Sequence, residues 1–169
     1  MKTFSFIHFG EIDINNLEEY YDISIELNSQ DIEIDLNFSE SKINLDVASI
    51  INNFIANIHN YDLQNKITIE KEYNNEEASP VKDYIKYHVE ELDKNVLSKF
   101  IDFDNKAVEP EKQLLKKLKL IRVGLYPDET DESENFAVFD YTIDSEITDE
   151  LIVVNTNKNN VFDNVAWES

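Results

Sequence analysis

Residues 22–38 read DISIELNSQDIEIDLNF. Apolar residues alternate with polar ones on both sides of Asn28-Ser29-Gln30. Ile23, Ile25 and Leu27 lead into that tripeptide, and Ile32, Ile34, Leu36 and Phe38 lead out of it. A period of two is the mark of a strand with one buried face, and the central polar break makes the pair a hairpin. The same reading puts Asp22, Glu26, Asp31, Glu33 and Asp35 on the opposite, solvated face. Phe4 and Phe6 alternate with Thr3 and Ser5, which adds a strand within residues 3–9.

The periodicity then changes. Val47, Ile50, Ile51, Phe54, Ile55 and Ile58 follow helical spacing, with Asn44 placed as the N-cap. A weaker helix spans about 62–73 and is broken by NNEEAS at 74–79. Ser79-Pro80 opens another, since proline suits the first helical position. Its inner stripe is Val81, Tyr84, Ile85, His88, Val89 and Leu92. Val96, Leu97, Phe100 and Ile101 predict a short helix. Pro110 opens the last, which carries Leu114, Leu115 and Leu118.

Strand patterns return near 119–126, 135–143, 150–155 and 161–167. Strands, helices and strands in that order predict one α+β domain over residues 1–169. Its mainly antiparallel sheet, built from the N-terminal hairpin and the C-terminal strands, packs against a central helical segment. The second hairpin is the best marked, LIRVGLYPDETDESENFAVFDYTI at 120–143. Ile121, Val123 and Leu125 share one face, and Leu120, Arg122, Gly124 and Tyr126 the other. Keeping apolar faces together pairs Val123 with Phe139 and Leu125 with Ala137. That register sets Arg122 opposite Asp140 and Gly124 opposite Val138. Gly124 either admits a large neighbouring side chain or creates a bulge. Tyr126-Pro127 ends the strand.

Composition bounds the chemistry. The chain has 169 residues and carries 15 Lys and Arg against 36 Asp and Glu, a formal charge of −21. Such a field repels phosphate backbones and anionic lipid, so neither nucleic acid nor membrane is an expected partner. It attracts basic proteins, and it also keeps a protein dispersed in water. There is no cysteine, which removes disulfides and thiolate metal sites and fits a reducing compartment. The start, MKTFSFIHFGEIDI, has its apolar stretch broken by His8, with Glu11 and Asp13 following, so it is not read as a secretory signal. The protein is read as cytoplasmic.

Several pieces of the chain resemble a bacterial family described as domain of unknown function 2004. They are FGEIDI at 9–14, YYDISIELN at 20–28, IEIDLNF at 32–38, YIKYHVEEL at 84–92, RVGLYPD at 122–128, FAVFDYTI at 136–143 and the terminal WES at 167–169. The resemblance supports the element boundaries. It implies no reaction and no list of site residues.

No catalytic motif is present. His8, His59 and His88 have no partner histidine at helical zinc spacing, and no nucleophile elbow or phosphate-binding glycine loop occurs. No cofactor and no metal are expected. His88 reads either as a hydrogen-bonded core histidine or as a ligand or base. Asp128, Glu129, Asp131, Glu132 and Glu134 form an acidic segment that reads as a solvated loop, a partner-contact loop or a poorly spaced calcium site. The functional expectation is a non-catalytic acidic interaction protein, of the type of an immunity protein neutralising a basic toxin or another basic partner. The alternative is a small-ligand binder or enzyme with a sheet–helix pocket near His88, Arg122 and Asp140.

Overall fold

The computed structural model describes residues 1–128 and 135–169. Among these, a two-stranded hairpin, β1 (Thr3–Phe6) and β2 (Gly10–Asp13), precedes a six-stranded sheet. The sheet contains β3 (Tyr20–Leu27), β4 (Gln30–Asn37), β5 (Lys119–Leu125), β6 (Ala137–Thr142), β7 (Leu151–Thr156) and β8 (Phe162–Glu168), in that spatial order. Every neighbouring pair is antiparallel except β4 with β5, which is parallel. A parallel join needs a long crossover. Here it is supplied by α1 (Leu45–Ala56), α2 (Ile58–Asn74), α3 (Pro80–Glu91), α4 (Lys94–Leu97) and α5 (Pro110–Leu115). The fold is α+β.

Local chemistry accounts for the boundaries. The β3–β4 turn is the two-residue loop Asn28-Ser29, with φ of 53° and 63° and Leu27 paired to Gln30. That is the primed geometry whose twist suits a hairpin. The Gln30 side-chain amide then donates to the Leu120 carbonyl, tying the turn to β5. Asn44 caps α1 by accepting from the Val47 N–H at 2.9 Å, and Ser79 caps α3 by accepting from Val81 at 3.2 Å. Asn57 both ends α1 and starts α2, so the second helix begins earlier than its weak periodicity predicts. The predicted strand at 3–9 is shorter, and a second strand, β2, follows a turn with positive φ at His8 and Gly10.

The helices pack on one face of the sheet. Phe54 of α1 meets Phe136 and Phe139 with ring centroids 5.3 and 6.0 Å apart. Ile32, Ile34, Leu36, Val123, Leu125, Phe139, Tyr141, Ile152 and Val154 form the buried side of the sheet. Each buried aliphatic or aromatic side chain contributes about 1.5–3 kcal/mol, so this face is the main source of stability. The register of the β5–β6 hairpin is the expected one, with Arg122 opposite Asp140, Val123 opposite Phe139, Gly124 opposite Val138 and Leu125 opposite Ala137.

Two further details differ from the sequence reading. The ladder shifts between Leu120 and Arg122, and Leu120 pairs with Tyr141. This bulge turns Leu120 onto the helix side with Val123, away from Arg122. Asp35 is fully buried, whereas alternation alone placed it in solvent with the other acids of the hairpin.

Candidate functional site

The outer face of the sheet, opposite the helices, carries its charge in rows. Ser24, Glu33, Arg122, Asp140, Val153 and Ala166 are cross-strand neighbours, and so are Asp22, Asp35, Gly124, Val138, Asn155 and Asn164. Arg122 stands near the middle. Its Nε and Nη2 donate to the two carboxylate oxygens of Asp35 at 2.6 and 2.9 Å. Its Nη1 donates to Asp140 Oδ2 at 3.0 Å, and Nη2 also donates to Tyr126 Oη at 3.3 Å. The planar guanidinium is the group suited to such a fork. Asn37 Nδ2 donates to Asp35 Oδ1 at 2.5 Å and so fixes that carboxylate from its other side.

Gly124 makes this arrangement possible. A Cβ at that position would lie 2.6 Å from Arg122 Nη2 and 3.1 Å from Cζ. The glycine therefore admits the arginine of its own strand, and the bulge lies elsewhere.

One cation serves two buried acids. Burial works against the Arg122 charge, but hydrogen bonds to Asp35, Tyr126 and Asp140 outweigh it and raise its pKa further. Burial raises the pKa of Asp140; the Arg122 hydrogen bond and charge oppose this, while Glu168 and Asp35 add to it. The asymmetry follows from geometry, since Asp35 takes two N–H bonds from the guanidinium and Asp140 takes one.

Beyond this knot the face is acidic and open. Asp22, Glu26 and Asp31 are exposed and Glu33 is half-buried. Among the described residues, none of the four is in a salt bridge. Charge is sorted along the chain: residues 1–40 hold one lysine against ten acids, a balance of −9, whereas residues 80–119 hold nine lysines against eight acids, a balance of +1. The first forty residues, which hold β1 to β4, are thus strongly acidic, whereas the segment that holds α3 to α5 is close to neutral.

His88 lies on the other side of the sheet. Its helix, α3, packs on the helix face through Tyr84, whose ring meets Trp167. Trp167 pairs with Ile152, which pairs with Tyr141, placing all three opposite the Arg122 side. His88 Nδ1 donates to the Tyr84 carbonyl at 2.8 Å, which leaves Nε2 to accept from the Thr148 hydroxyl at 3.0 Å. The Glu150 N–H donates to the same hydroxyl oxygen. Burial lowers the His88 pKa, against smaller raising effects of the Tyr84 carbonyl and Glu150. Both ring nitrogens are engaged, so this is a satisfied core histidine. The structure brings Arg122 and Asp140 together and keeps His88 away from them.

Asp128 lies near the end of β5, where its Oδ2 accepts from the Ser39 N–H at 2.5 Å. Glu129, Asp131, Glu132 and Glu134 lie outside the described residues. A groove between α2 and α5 includes a cavity of about 250 Å³ lined by Lys66, Ile69, Glu70, Leu115, Lys116 and Leu118. It holds no histidine or arginine. Among the described residues no group of acids and histidines could hold a metal ion, and no helix is long and apolar enough to cross a membrane.

Two polar residues of consequence were not singled out by pattern. Asp35 is the principal partner of Arg122. Asp62, buried in α2, is bonded to Lys66 at 2.9 Å and faces Tyr141, whose phenol pKa is pushed well up by burial and by that acid. The alternation of β4 carries no mark that separates Asp35 from Glu33. For Asp62 the available signal was an acid four residues before a lysine on a helix.

Comparison with protein-family models, curated proteins and solved structures finds no match for this chain. The resemblance to the domain of unknown function 2004 family rests on the sequence pieces quoted above, and no family model matches the chain.

Proposed function

We propose that the protein is a non-catalytic acidic interaction module that captures a basic protein on the outer face of its sheet. The observation that carries this reading is the placement of Asp22, Glu26, Asp31 and Glu33 on one surface while Arg122 is consumed by Asp35 and Asp140. A cation on that surface would offset its own acids; this one is already engaged. A field of one sign speeds encounter with an oppositely charged partner and rejects like-charged ones. An immunity-type role, neutralising a basic toxin, is the finer form of the same proposal.

The test is titration against a small basic protein and an acidic protein of similar size. Association with the basic protein should slow as salt rises, because the Debye length contracts to about 8 Å at physiological ionic strength. Replacing Asp22, Glu26 and Glu33 together by lysine should abolish it. Equal binding of the acidic protein, or a rate indifferent to salt, would count against the proposal.

A further inference from the structure

β3 is an edge of the six-stranded sheet. Proteins commonly blunt such edges with short strands, proline, lysine or a bulge, because unpaired backbone groups invite another strand. β3 has no proline, lysine or bulge, and the charges it does carry, Asp22 and Glu26, are both acidic, so they discourage an acidic strand and not a basic one. Its eight residues, YYDISIEL, pair with β4 without a register shift. The pairing of the other edge strand, β8, shifts between Asn155 and Thr156.

The hairpin register fixes which way each backbone group points. A two-residue turn makes Leu27 and Gln30 a hydrogen-bonded pair, and bonded and non-bonded pairs alternate from there. Leu27, Ile25, Ile23 and Tyr21 therefore direct their N–H and C=O groups to β4. Glu26, Ser24, Asp22 and Tyr20 direct theirs outward. Among the described residues no other segment bonds those outward groups. The residues with free backbone groups are thus the ones whose side chains stand on the acidic face. Tyr21, Ile23, Ile25 and Leu27, on the other side, are only partly buried.

We propose that β3 receives an extended segment of a basic partner as a seventh strand. Residues directly opposite share a face. The incoming strand would carry lysine or arginine facing Asp22 and Glu26, and apolar residues at the alternate positions beside Ile23 and Ile25. Strand addition of this kind draws affinity from the backbone and selectivity from alternate side chains. A second copy of this chain would bring its own acids to this edge: antiparallel pairing centred on Ser24 sets Asp22 directly against Glu26, and any other register still lays one acidic face beside another, whereas a basic strand complements it. The inference rests on the acidic-face proposal and adds the shape of the ligand to it.

The experiment uses two short synthetic peptides of identical composition. One alternates lysine with valine; the other places its lysines and valines in separate blocks. The alternating peptide should bind the intact protein about tenfold tighter, roughly the value of one or two backbone hydrogen bonds. The amide protons of Asp22, Ser24 and Glu26 should gain protection from exchange in that complex, a readout that needs no variant. Ser24→Pro removes one outward N–H and leaves the bonds to β4 in place, so it should weaken the alternating peptide by about tenfold as well. Equal affinity for the two peptides, with exchange at those amides unchanged, overturns the strand-addition inference and leaves the acidic-face reading intact. Failure of both peptides to bind overturns it too, and the acidic-face reading then stands or falls on the basic-protein titration.

Discussion

The guanidinium of Arg122 lies over Gly124, close enough that a Cβ on the glycine would sit 2.6 Å from Nη2. The side chain cannot simply swing aside, because its Nε and Nη2 are both committed to Asp35. Gly124→Ala should therefore destabilise by about 1–3 kcal/mol, the usual range for overfilling a packed site. In an Arg122→Met background the same change should cost much less. A denaturant double-mutant cycle measures the coupling, and additivity would show that the two residues do not constrain each other.

Asp35 and Asp140 should respond unequally to substitution. Asp35→Ala removes the two-pronged partner of Arg122 and should cost about 3 kcal/mol or more. Asp140→Asn keeps an oxygen for Nη1, trading a charge-assisted hydrogen bond for a neutral one, and should cost about 1 kcal/mol. The pH dependence has a defined sign. Asp140 holds its proton more tightly when folded, so the stability that it contributes should decline as pH climbs from about 4 through its raised pKa. Asp140→Asn should remove that step. Arg122→Lys, lacking the fork, should recover only part of what Arg122→Ala loses.

His88 gives the opposite slope. Its folded pKa is lowered, so the unfolded chain takes up protons first. The stability that His88 contributes should be complete above about pH 6.5 and drain away as pH falls below it. Urea midpoints measured across that range should show the loss, and His88→Gln should flatten it.

Phe54 is almost wholly buried and touches Tyr61, Phe136 and Phe139. Phe54→Ala should cost about 3–5 kcal/mol. A shift in the thermal midpoint too small for that cost would mean that the α1 face repacks without it.

Ser29 holds φ at 63° without the freedom of a glycine. Ser29→Gly should stabilise the hairpin by about 1 kcal/mol, since the left-handed region costs an ordinary residue about that much. An unchanged unfolding free energy would place the strain elsewhere.

Much of this architecture was legible because it is local. Two-residue periodicity fixed β3, β4 and the later strands, capping residues fixed α1 and α3, and matching apolar faces fixed the opposition of Arg122 and Asp140. What escaped was non-local or polar. The parallel join of β4 to β5 has no signature within either strand, so nothing marked Asp35 as the carboxylate beneath the arginine. The bulge at Leu120 reverses an alternation that otherwise runs cleanly. The start of α2 was hidden because two of its buried positions are Asp62 and Asn65, which no hydrophobic pattern recovers. Of the site, the acids of the open face were visible from the first hairpin, while their separation from His88 needed the sheet to be assembled.

The join between β4 and β5 also sets a timetable. Asp35 and Arg122 are 87 positions apart, so the N-terminal hairpin leaves the ribosome well before its central neighbour has been made. Contacts of such long range form slowly, and a half-built sheet with an exposed apolar side is prone to stick to other chains. Ile32, Ile34 and Leu36 are that side, waiting. The carboxylates on the alternate positions give the nascent hairpin a like-charged coat during the wait, and like charge disfavours association between copies. When β5 arrives, its arginine neutralises the one acid of the first hairpin that the finished sheet encloses, and assembly of the two halves is coupled to that single act of charge cancellation.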